Sequence, residues 1–472
     1  MCQNIETKDA TEQNQITEGV IWKQLLLFFF PILFGTFFQQ LYNTTDAIIV
    51  GRFVGKEALA AVGGPTGTFI NLMIGFFIGL SSGATVIISQ FYGARQDENV
   101  SKAVHTAIAF SIVSGVAFTF VGMLGAPYAL RAMGTPDDIL HYAVSFIRVY
   151  FIGVTGNLIY NMGAGILRAI GDSRRPLYFL IASCFTNIIL DILFVVYMHM
   201  GVRGAALATI ISQFISAVLV ILVLVRTNKS YRLMPKSIRI HRDILGRIIR
   251  IGFPAGLQSV MYSSSNIIIQ SSINALGTNT IAAWTAYGKI DTLFFTIISA
   301  FGISITTFVG QNYGAGKKDR VWKGIRICMI MSFVTAIGLS FLLYTFGSYI
   351  FLLFTTDAAV IGIGTEILRY LVPAYFTYVC IEICSGSLRG TGDCWIPMLL
   401  TCLGVCALRV VWIWVAVPLH PVIETVIFSY PMTWTVTSVL FVIYFYRYSK
   451  LKKHKPSARL RKQDLFHGGP VK

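Results

Sequence analysis

Charge is scarce in this chain. Only 12% of its 472 residues are Asp, Glu, Lys or Arg, while 55% are hydrophobic. That balance excludes an ordinary soluble globular domain, and it equally excludes a solvated disordered chain. Acidic residues are the rarer sign, 21 against 38 basic, for a net charge of +17. There are eight cysteines, but none has metal-site spacing. Cys380/Cys384 and Cys402/Cys406 stand one helical turn apart in apolar surroundings, so they read as small buried residues, and neither a disulfide framework nor a zinc site is expected. No HExxH motif and no nucleophile–base or metal constellation is present, which argues against an enzyme. His105, His141, His199 and His420 fall near the ends of apolar runs and read as interfacial. The first nineteen or so residues are polar, with Glu6, Asp9, Glu12 and Glu18. They lack the basic start and short apolar core of a secretion signal, so no cleaved signal peptide is expected.

What is abundant is long apolar sequence. Runs of membrane-spanning length recur from one end to the other, so the expectation is an all-α polytopic membrane protein. Twelve spans fit, near 22–48, 58–90, 102–126, 138–163, 176–199, 202–226, 245–273, 281–311, 323–352, 360–387, 396–418 and 422–446. An even number puts both tails on one side. The tails and the connections after spans two, four, six, eight and ten, with their flanking turns, hold most of the basic residues. The intervening connections hold only Arg52, Lys56, Arg131 and Arg203. By the positive-inside rule both tails are cytoplasmic and the chain is a multi-pass protein of the cell membrane. The tail RYSKLKKHKPSARLRK reads as a juxtamembrane anchor to the anionic inner leaflet, not as a nucleic-acid patch.

The chain repeats itself. Gln90, Tyr92, Gly93 and Ala94 recur as Gln311, Tyr313, Gly314 and Ala315; Leu167, Arg168, Gly171, Asp172 and Pro176 recur as Leu388, Arg389, Gly392, Asp393 and Pro397. One offset serves both motifs, so the chain divides into two six-span halves. The expected organisation is a cytoplasmic N-terminal tail (1–21), an N-lobe (22–226), a cytoplasmic linker (227–244), a C-lobe (245–446) and a basic cytoplasmic tail (447–472). Six is even, so the two halves are parallel repeats around a central cleft, a transporter architecture. The repeated pieces QFYGARQD/QNYGAGKKD and LRAIGD/LRGTGD read as loops and caps that couple span ends.

Within the N-lobe, Asn187 and Asp191 lie one turn apart in span five, on one helix face. A carboxylate at bilayer depth costs about 2.5–3.5 kcal/mol on insertion scales, so it usually faces a cavity, a partner or an ion pathway. Thr209 in span six and Asp46 late in span one reach the same depth at 1.5 Å per residue. Four oxygen-bearing side chains on three helices suit a hard cation or a proton; four unrelated residues satisfied by helix packing are the alternative of equal weight.

These residues, the duplicated halves and the paired QxYGA and LRxxGD motifs resemble the multidrug and toxic compound extrusion (MATE) family over essentially all twelve spans. The resemblance implies export of organic, often cationic, compounds in exchange for inward Na+ or H+. It implies a cation- or proton-binding site at Asp46, Asn187, Asp191 and Thr209, with Pro31 as the point where the first helix bends. Pro254 holds a comparable place in the second half, so an ordinary packed kink is the alternative for Pro31. No cofactor beyond the coupling ion and no resident metal are implied. The expected partners are small organic substrates and the bilayer, with no nucleic acid and a monomeric state. The cation site is not duplicated: Leu408, Trp412 and Tyr430 stand at the repeat positions of Asn187, Asp191 and Thr209.

A second polar set in the C-lobe comprises Gln258, Asn266, Asp291 and Glu382. Asp291 and Arg409 fall at one depth and are expected to form a structural ion pair, with a substrate-binding carboxylate as the alternative. Glu382 is either a substrate or proton carboxylate or a loop anchor. Lys289 is two residues from Asp291 and therefore on another helix face. A cavity bearing Asp46, Asp191 and Asp291, joined by Glu382 if it faces inward, and rich in Phe, Tyr and Met, would favour amphipathic organic cations. The alternative function is a flippase for a lipid-linked or polysaccharide precursor, which would need more central cations than Lys289 and Arg409.

Overall fold

The computed structural model describes residues 15–449 and 451; most of both tails, including Glu6, Asp9, Glu12 and the basic C-terminal segment from residue 452, lies outside the described residues. Twelve long helices form two lobes. The N-lobe holds α1 (Ile21–Phe53), α2 (Lys56–Gly93, interrupted at Gly64), α3 (Asp97–Ala132), α4 (Asp137–Ile152 and Val154–Ala169), α5 (Arg174–Tyr197) and α6 (Gly201–Arg226). The C-lobe holds α7 (Arg242–Asn274), α8 (Thr278–Gly314), α9 (Lys318–Phe351), α10 (Ala358–Gly390), α11 (Trp395–Ala416) and α12 (Ile423–Arg447).

Among the described residues, ten helices are long and apolar enough to cross a membrane, and the two pieces of α4, meeting at 51°, make an eleventh span. The break falls at Gly153, where a Cβ would run into the Ile210 side chain of α6. The twelfth, α7, is 33 residues long; Arg247, Arg250, Gln258, Asn266 and Gln270 dilute its hydropathy. Of these, Asn266 and Gln270 line a cavity of the C-lobe, while Arg247 and Arg250, near the start of the helix, are exposed.

The two hydrophobic cores do not divide where the sequence repeat divides. The N-lobe core, around Phe77, Phe151 and Ile166, also contains Ile244, Ile248 and Ile251 from the first turns of α7. The C-lobe core, around Tyr287, Phe294, Tyr375 and Trp434, contains Leu25, Phe28, Phe29 and Ile32 from the first turns of α1. Phe29 stacks on Phe301 of α8, centroids 4.1 Å apart. Farther along, α1 returns to its own lobe through Ile49 and Val50, and α7 to its own through Ile269 and Ile273. Each first helix therefore crosses the seam between lobes.

Glycines set how closely the lobes approach. A Cβ on Gly79 or Gly83 of α2 would strike the backbone of α7 at Gly256 or at Ile248 and Gly252. Small residues at four-residue spacing on both helices let the backbones meet, the usual device where no water drives association. The run Gly79-Leu80-Ser81-Ser82-Gly83 has the letter spacing of a hydrolase nucleophile elbow. It lies mid-helix, with the Ser81 hydroxyl donating to Asn161 O at 3.2 Å.

The side bearing both chain ends is closed by the repeated motifs. Gln90 Nε2 donates to Gly390 O at 2.9 Å, and Gln311 Nε2 donates to Ala169 O at 2.6 Å. The expectation of span-end coupling by these motifs is correct in kind, but the couplers are helical glutamines rather than loop residues. The short segment Gln15–Glu18 lies across this closed end: Arg320 donates to Ile16 O and Gly19 O, and Glu18 stands 3.8 Å from both Arg95 and Lys317. His105 is not interfacial as expected but 2% exposed. Its Nδ1–H donates to Ser101 O and its Nε2 accepts the Met234 amide, which pins the inter-lobe linker to α3.

Candidate functional site

One cluster in the N-lobe, called the N-lobe pocket below, brings together all four residues singled out for cation or proton binding. Asn187 and Asp191 are completely buried on α5, and Thr209 of α6 is nearly so. The Thr209 hydroxyl lies 3.1 Å from Asp46 Oδ2 and 3.0 Å from Ala205 O, so one proton serves two acceptors. Asp46 and Asp191 lie close enough to feel each other's charge, with Asn187 beside them, yet no hydrogen bond joins Asn187 to either carboxyl. Asp46 Oδ1, both Asp191 oxygens and both polar atoms of Asn187 are buried without a hydrogen-bond donor or acceptor to match them. An orphaned buried polar atom costs about 1–3 kcal/mol. An arrangement of acceptor against acceptor needs a proton or a cation between the two groups.

Three neighbours of this pocket were not picked out from sequence. Tyr42 and Tyr150 are buried beside Asp46, with Gln213 next to them. Directly after Asp191 the helix widens into a π-helical turn, Ile192–Tyr197. Such insertions are frequent at functional sites because they leave backbone groups unevenly paired. No residue pattern in ILFVVY signals it.

The C-lobe carries a separate cavity of about 600 Å³, lined by Asn266, Asp291 and Arg409 together with Tyr262, Trp284, Phe295, Tyr430 and Trp434. Asp291 Oδ1 accepts from Tyr287 at 2.9 Å and from Tyr375 at 2.8 Å. The expected Asp291–Arg409 ion pair does not form. Arg409 instead lies over the Tyr430 ring, 3.9 Å from its centroid, and donates to Thr433 Oγ1 at 3.2 Å. The two tyrosine hydroxyls already hold Asp291, and the guanidinium has an aromatic face to rest on. Equal depth did not mean contact.

Glu382 does not face this cavity's charged pair. It packs against Gly302, where a Cβ would collide with its carboxyl, and its Oε1 accepts from Arg389 at 3.4 Å. Its Oε2 also accepts from Tyr378, a residue of the cavity wall, at 3.5 Å, so Glu382 is tied both to the cavity wall and to the start of the LRGTGD segment. Gln258 is half-buried on α7 and is not part of the cavity lining.

A third space, about 810 Å³, opens between the lobes along α1 and α8. Phe34, Phe37, Ile48 and Leu293 make its apolar wall, and Lys56 and Lys289 are its charged residues. Lys289 and Asp291 do lie on different faces, one toward this cleft and the other toward the C-lobe cavity. The expectation of a single acidic cavity is therefore corrected: Asp46 and Asp191 sit in the N-lobe pocket, Asp291 in the C-lobe cavity, and the cleft between lobes is basic.

Comparison with known proteins matches the family model MatE twice, over residues 31–193 and 254–415, once per half. The chain is 29% identical over 398 residues to the probable multidrug resistance protein YoeA of Bacillus subtilis (strain 168), covering 83% of this chain and 86% of that one. It is 24% identical over 380 residues to the multidrug export protein MepA of Staphylococcus aureus (strain NCTC 8325 / PS 47), covering 79% and 82%. Its fold matches a MOP superfamily transporter from Pyrococcus furiosus with a TM-score of 0.87 at 23% identity, over 94% of this chain and 99% of the other. A second solved chain, described as the outward-facing conformation of a multidrug resistance MATE family transporter, matches with a TM-score of 0.87 at 24% identity and the same coverage.

Proposed function

Since the chain belongs to the MatE family of multidrug transporters, and is a membrane transporter rather than an enzyme, we propose that it is a secondary antiporter. In this reading it exports organic, cationic amphipathic compounds in exchange for inward Na+ or H+. The observation that carries the reading is the cluster of Asp46, Asn187, Asp191 and Thr209, in which Thr209 lies 3.1 Å from Asp46 and the buried carboxyl of Asp191 has no hydrogen-bond partner. Asp46, Asp191, the Asn187 carbonyl and the Thr209 hydroxyl offer the hard oxygen donors that Na+ takes. The same two carboxyls sharing one proton would serve H+.

Loading neutralises the repulsion between the carboxyls and draws the far half of α1 toward α5; unloading releases it. Because α1 spans both cores, movement at Asp46 is transmitted to the seam between lobes. The basic connections cluster on the side of the chain ends, which supports cytoplasmic termini in a multi-pass cell-membrane protein. Each cavity is complete within one chain, consistent with a monomer.

The test is transport of a fluorescent lipophilic cation in proteoliposomes under an imposed Na+ or H+ gradient. Wild type should respond to one gradient, and Asp191→Asn should lose that response at least a hundredfold while remaining folded. Gradient-driven transport by Asp191→Asn at wild-type rates would sink the reading. One feature favours the flippase alternative, the cleft in which Lys56 and Lys289 meet an apolar wall. Translocation of an anionic lipid-linked sugar, with lipophilic cations ignored, would decide for it.

A further inference from the structure

The C-lobe cavity differs from the N-lobe pocket in holding one charge of each sign. Arg409 is 3% exposed, yet of its donors the structure pairs Nη2 with Thr433, and Nε is buried with no partner. A guanidinium carries five donors in a fixed fork and cannot shed its charge, so burial leaves it short of an acceptor. Among the described residues no carboxylate comes within ion-pair distance to supply one. Asp291 is near enough to feel its charge, but its Oδ1 is turned to Tyr287 and Tyr375. Tyr262 adds a further buried hydroxyl without a partner. Between these polar groups the walls are aromatic, from Trp284, Phe295, Tyr430 and Trp434.

Arg409 reaches this position through an irregularity in α11. The turn Cys402–Ala407 is π-helical and ends one residue before the α-helical segment Leu408–Ala416 resumes. A π-turn inserts an extra residue into the helical repeat and so rotates everything that follows. The residue at the corresponding place in the first half is Ile188, so the guanidinium belongs to the C-lobe alone.

We propose that this cavity binds amphoteric aromatic compounds, with the ring system among Trp284, Phe295 and Trp434, a carboxylate on Arg409 and a basic nitrogen on Asp291. The proposal rests on the export reading above and deepens it by naming a substrate class. A simple cation would answer Asp291 but bring a like charge close to Arg409. A simple anion would do the reverse. A zwitterion answers both charges and arrives with little net charge to desolvate. The volume of about 600 Å³ falls within the range of small-molecule sites, roughly 300–1,000 Å³.

The experiment uses rhodamine B, which carries a free carboxylate beside its cationic ring system, and its ethyl ester, which keeps the cation and loses the acid. Binding of each dye to purified full-length protein is measured by fluorescence anisotropy without any ion gradient, so the result does not depend on the antiport reading. Wild type should bind the free acid about tenfold more tightly than the ester, allowing for dye uptake by protein-free micelles. Arg409→Gln should bring that ratio near one by weakening the acid alone, and Arg409→Lys should keep part of the preference. A wild-type ratio near one overturns the proposal, as does an Arg409→Gln protein that weakens both dyes equally. If Arg409→Gln fails to fold, the wild-type ratio and Arg409→Lys decide: a folded lysine variant with a reduced preference supports recognition by the guanidinium, and an undiminished ratio overturns it.

Discussion

Gln90 and Gln311 occupy the same place in the two halves, and each donates its side-chain amide across the lobe boundary to the same place in the other half, Gly390 O and Ala169 O. The exchange is reciprocal down to packing, since a Cβ on Gly93 would strike Gln311 and one on Gly314 would strike Gln90. Two equivalent bonds therefore hold the side of the chain ends closed. Interhelical hydrogen bonds in membranes average about 0.6 kcal/mol and reach about 1.7. Gln90→Leu with Gln311→Leu should shift the balance toward opening on that side by about tenfold. Spin labels on the ends of α2 and α8 would read the shift as a larger population of long distances; an unchanged distribution would show that the clasp is incidental.

The glycine seam gives a stability prediction. A side chain at Gly79 must displace the α7 backbone, whereas one at Gly125 of α3 meets nothing within 4 Å. Overpacking in a tight interior costs about 1–3 kcal/mol, and backbone offers less relief than side chains. Gly79→Val should lower the thermal midpoint in detergent and reduce folded yield, and Gly125→Val should do neither. Equal behaviour of the two variants would mean that the α2–α7 approach is not what holds the lobes in register.

The linker should respond to pH through His241. Burial first, then the charges of Arg239, Lys102 and His105, hold this imidazole below its ordinary value near 6.5. Its hydrogen bonds agree with the neutral ring, for Nε2 accepts from Arg239 at 3.1 Å while Nδ1 lies 3.0 Å from the Thr106 hydroxyl. The docked linker thus favours unprotonated His241 relative to the free one. The docking free energy is intact above about pH 6.5 and is lost progressively below it, until the docked ring also protonates. A spin-label pair between Ser230 and α3 should broaden as pH falls through that range. His241→Gln, which cannot charge, should abolish the change; persistence of the change in that variant would place the sensor elsewhere.

Much of this architecture is legible in sequence because hydropathy and repetition survive without tertiary information. The span of α7 could be placed even though Arg247, Arg250 and Asn266 dilute it, because its apolar run still has membrane-spanning length. The grouping of Asp46, Asn187, Asp191 and Thr209 was legible too, since helix rise fixes depth. Depth alone leaves the direction around the helix open. That is why Asp291 and Arg409 were paired in expectation and are separate in the structure, and why Asp46, Asp191 and Asp291, expected in one cavity, lie in different places. The π-turns before Arg409 and after Asp191 change that direction with no compositional trace. Of the tyrosines that hold Asp291, Tyr287 lies one helical turn before it and its spacing was open to reading, whereas Tyr375 comes from another helix at no fixed spacing.

The final prediction concerns Pro31, which lies in the part of α1 that packs with the C-lobe, ahead of the point where the helix changes partners. Leu25, Phe28, Phe29 and Ile32 around it pack in the C-lobe core; farther on, Ile49 and Val50 pack in the N-lobe core. Proline has no N–H, so the carbonyl four residues back, that of Leu27, loses its helical donor. The structure supplies another: the Ser173 hydroxyl, from the turn between α4 and α5, lies 3.4 Å from Leu27 O. The weak point of α1 is thereby tied to α5, the helix that carries Asn187 and Asp191. From Pro31 to Asp46 is about 22 Å along the helix, so a small bend at the proline swings the carboxyl appreciably. Pro31→Ala returns a donor to Leu27 O, adds a helical hydrogen bond of about 0.5–1.5 kcal/mol and stiffens the joint. It should slow turnover several-fold and change cation affinity much less. Ser173→Ala removes only the tie and should leave the bend possible but less coupled to the site. Label pairs across α1 and α5 should show a cation- or pH-dependent distance change in wild type, a smaller one in Ser173→Ala and none in Pro31→Ala. If that distance stays constant in wild type across the very titrations that drive transport, bending at Pro31 is excluded, and the cation site must work through a different movement.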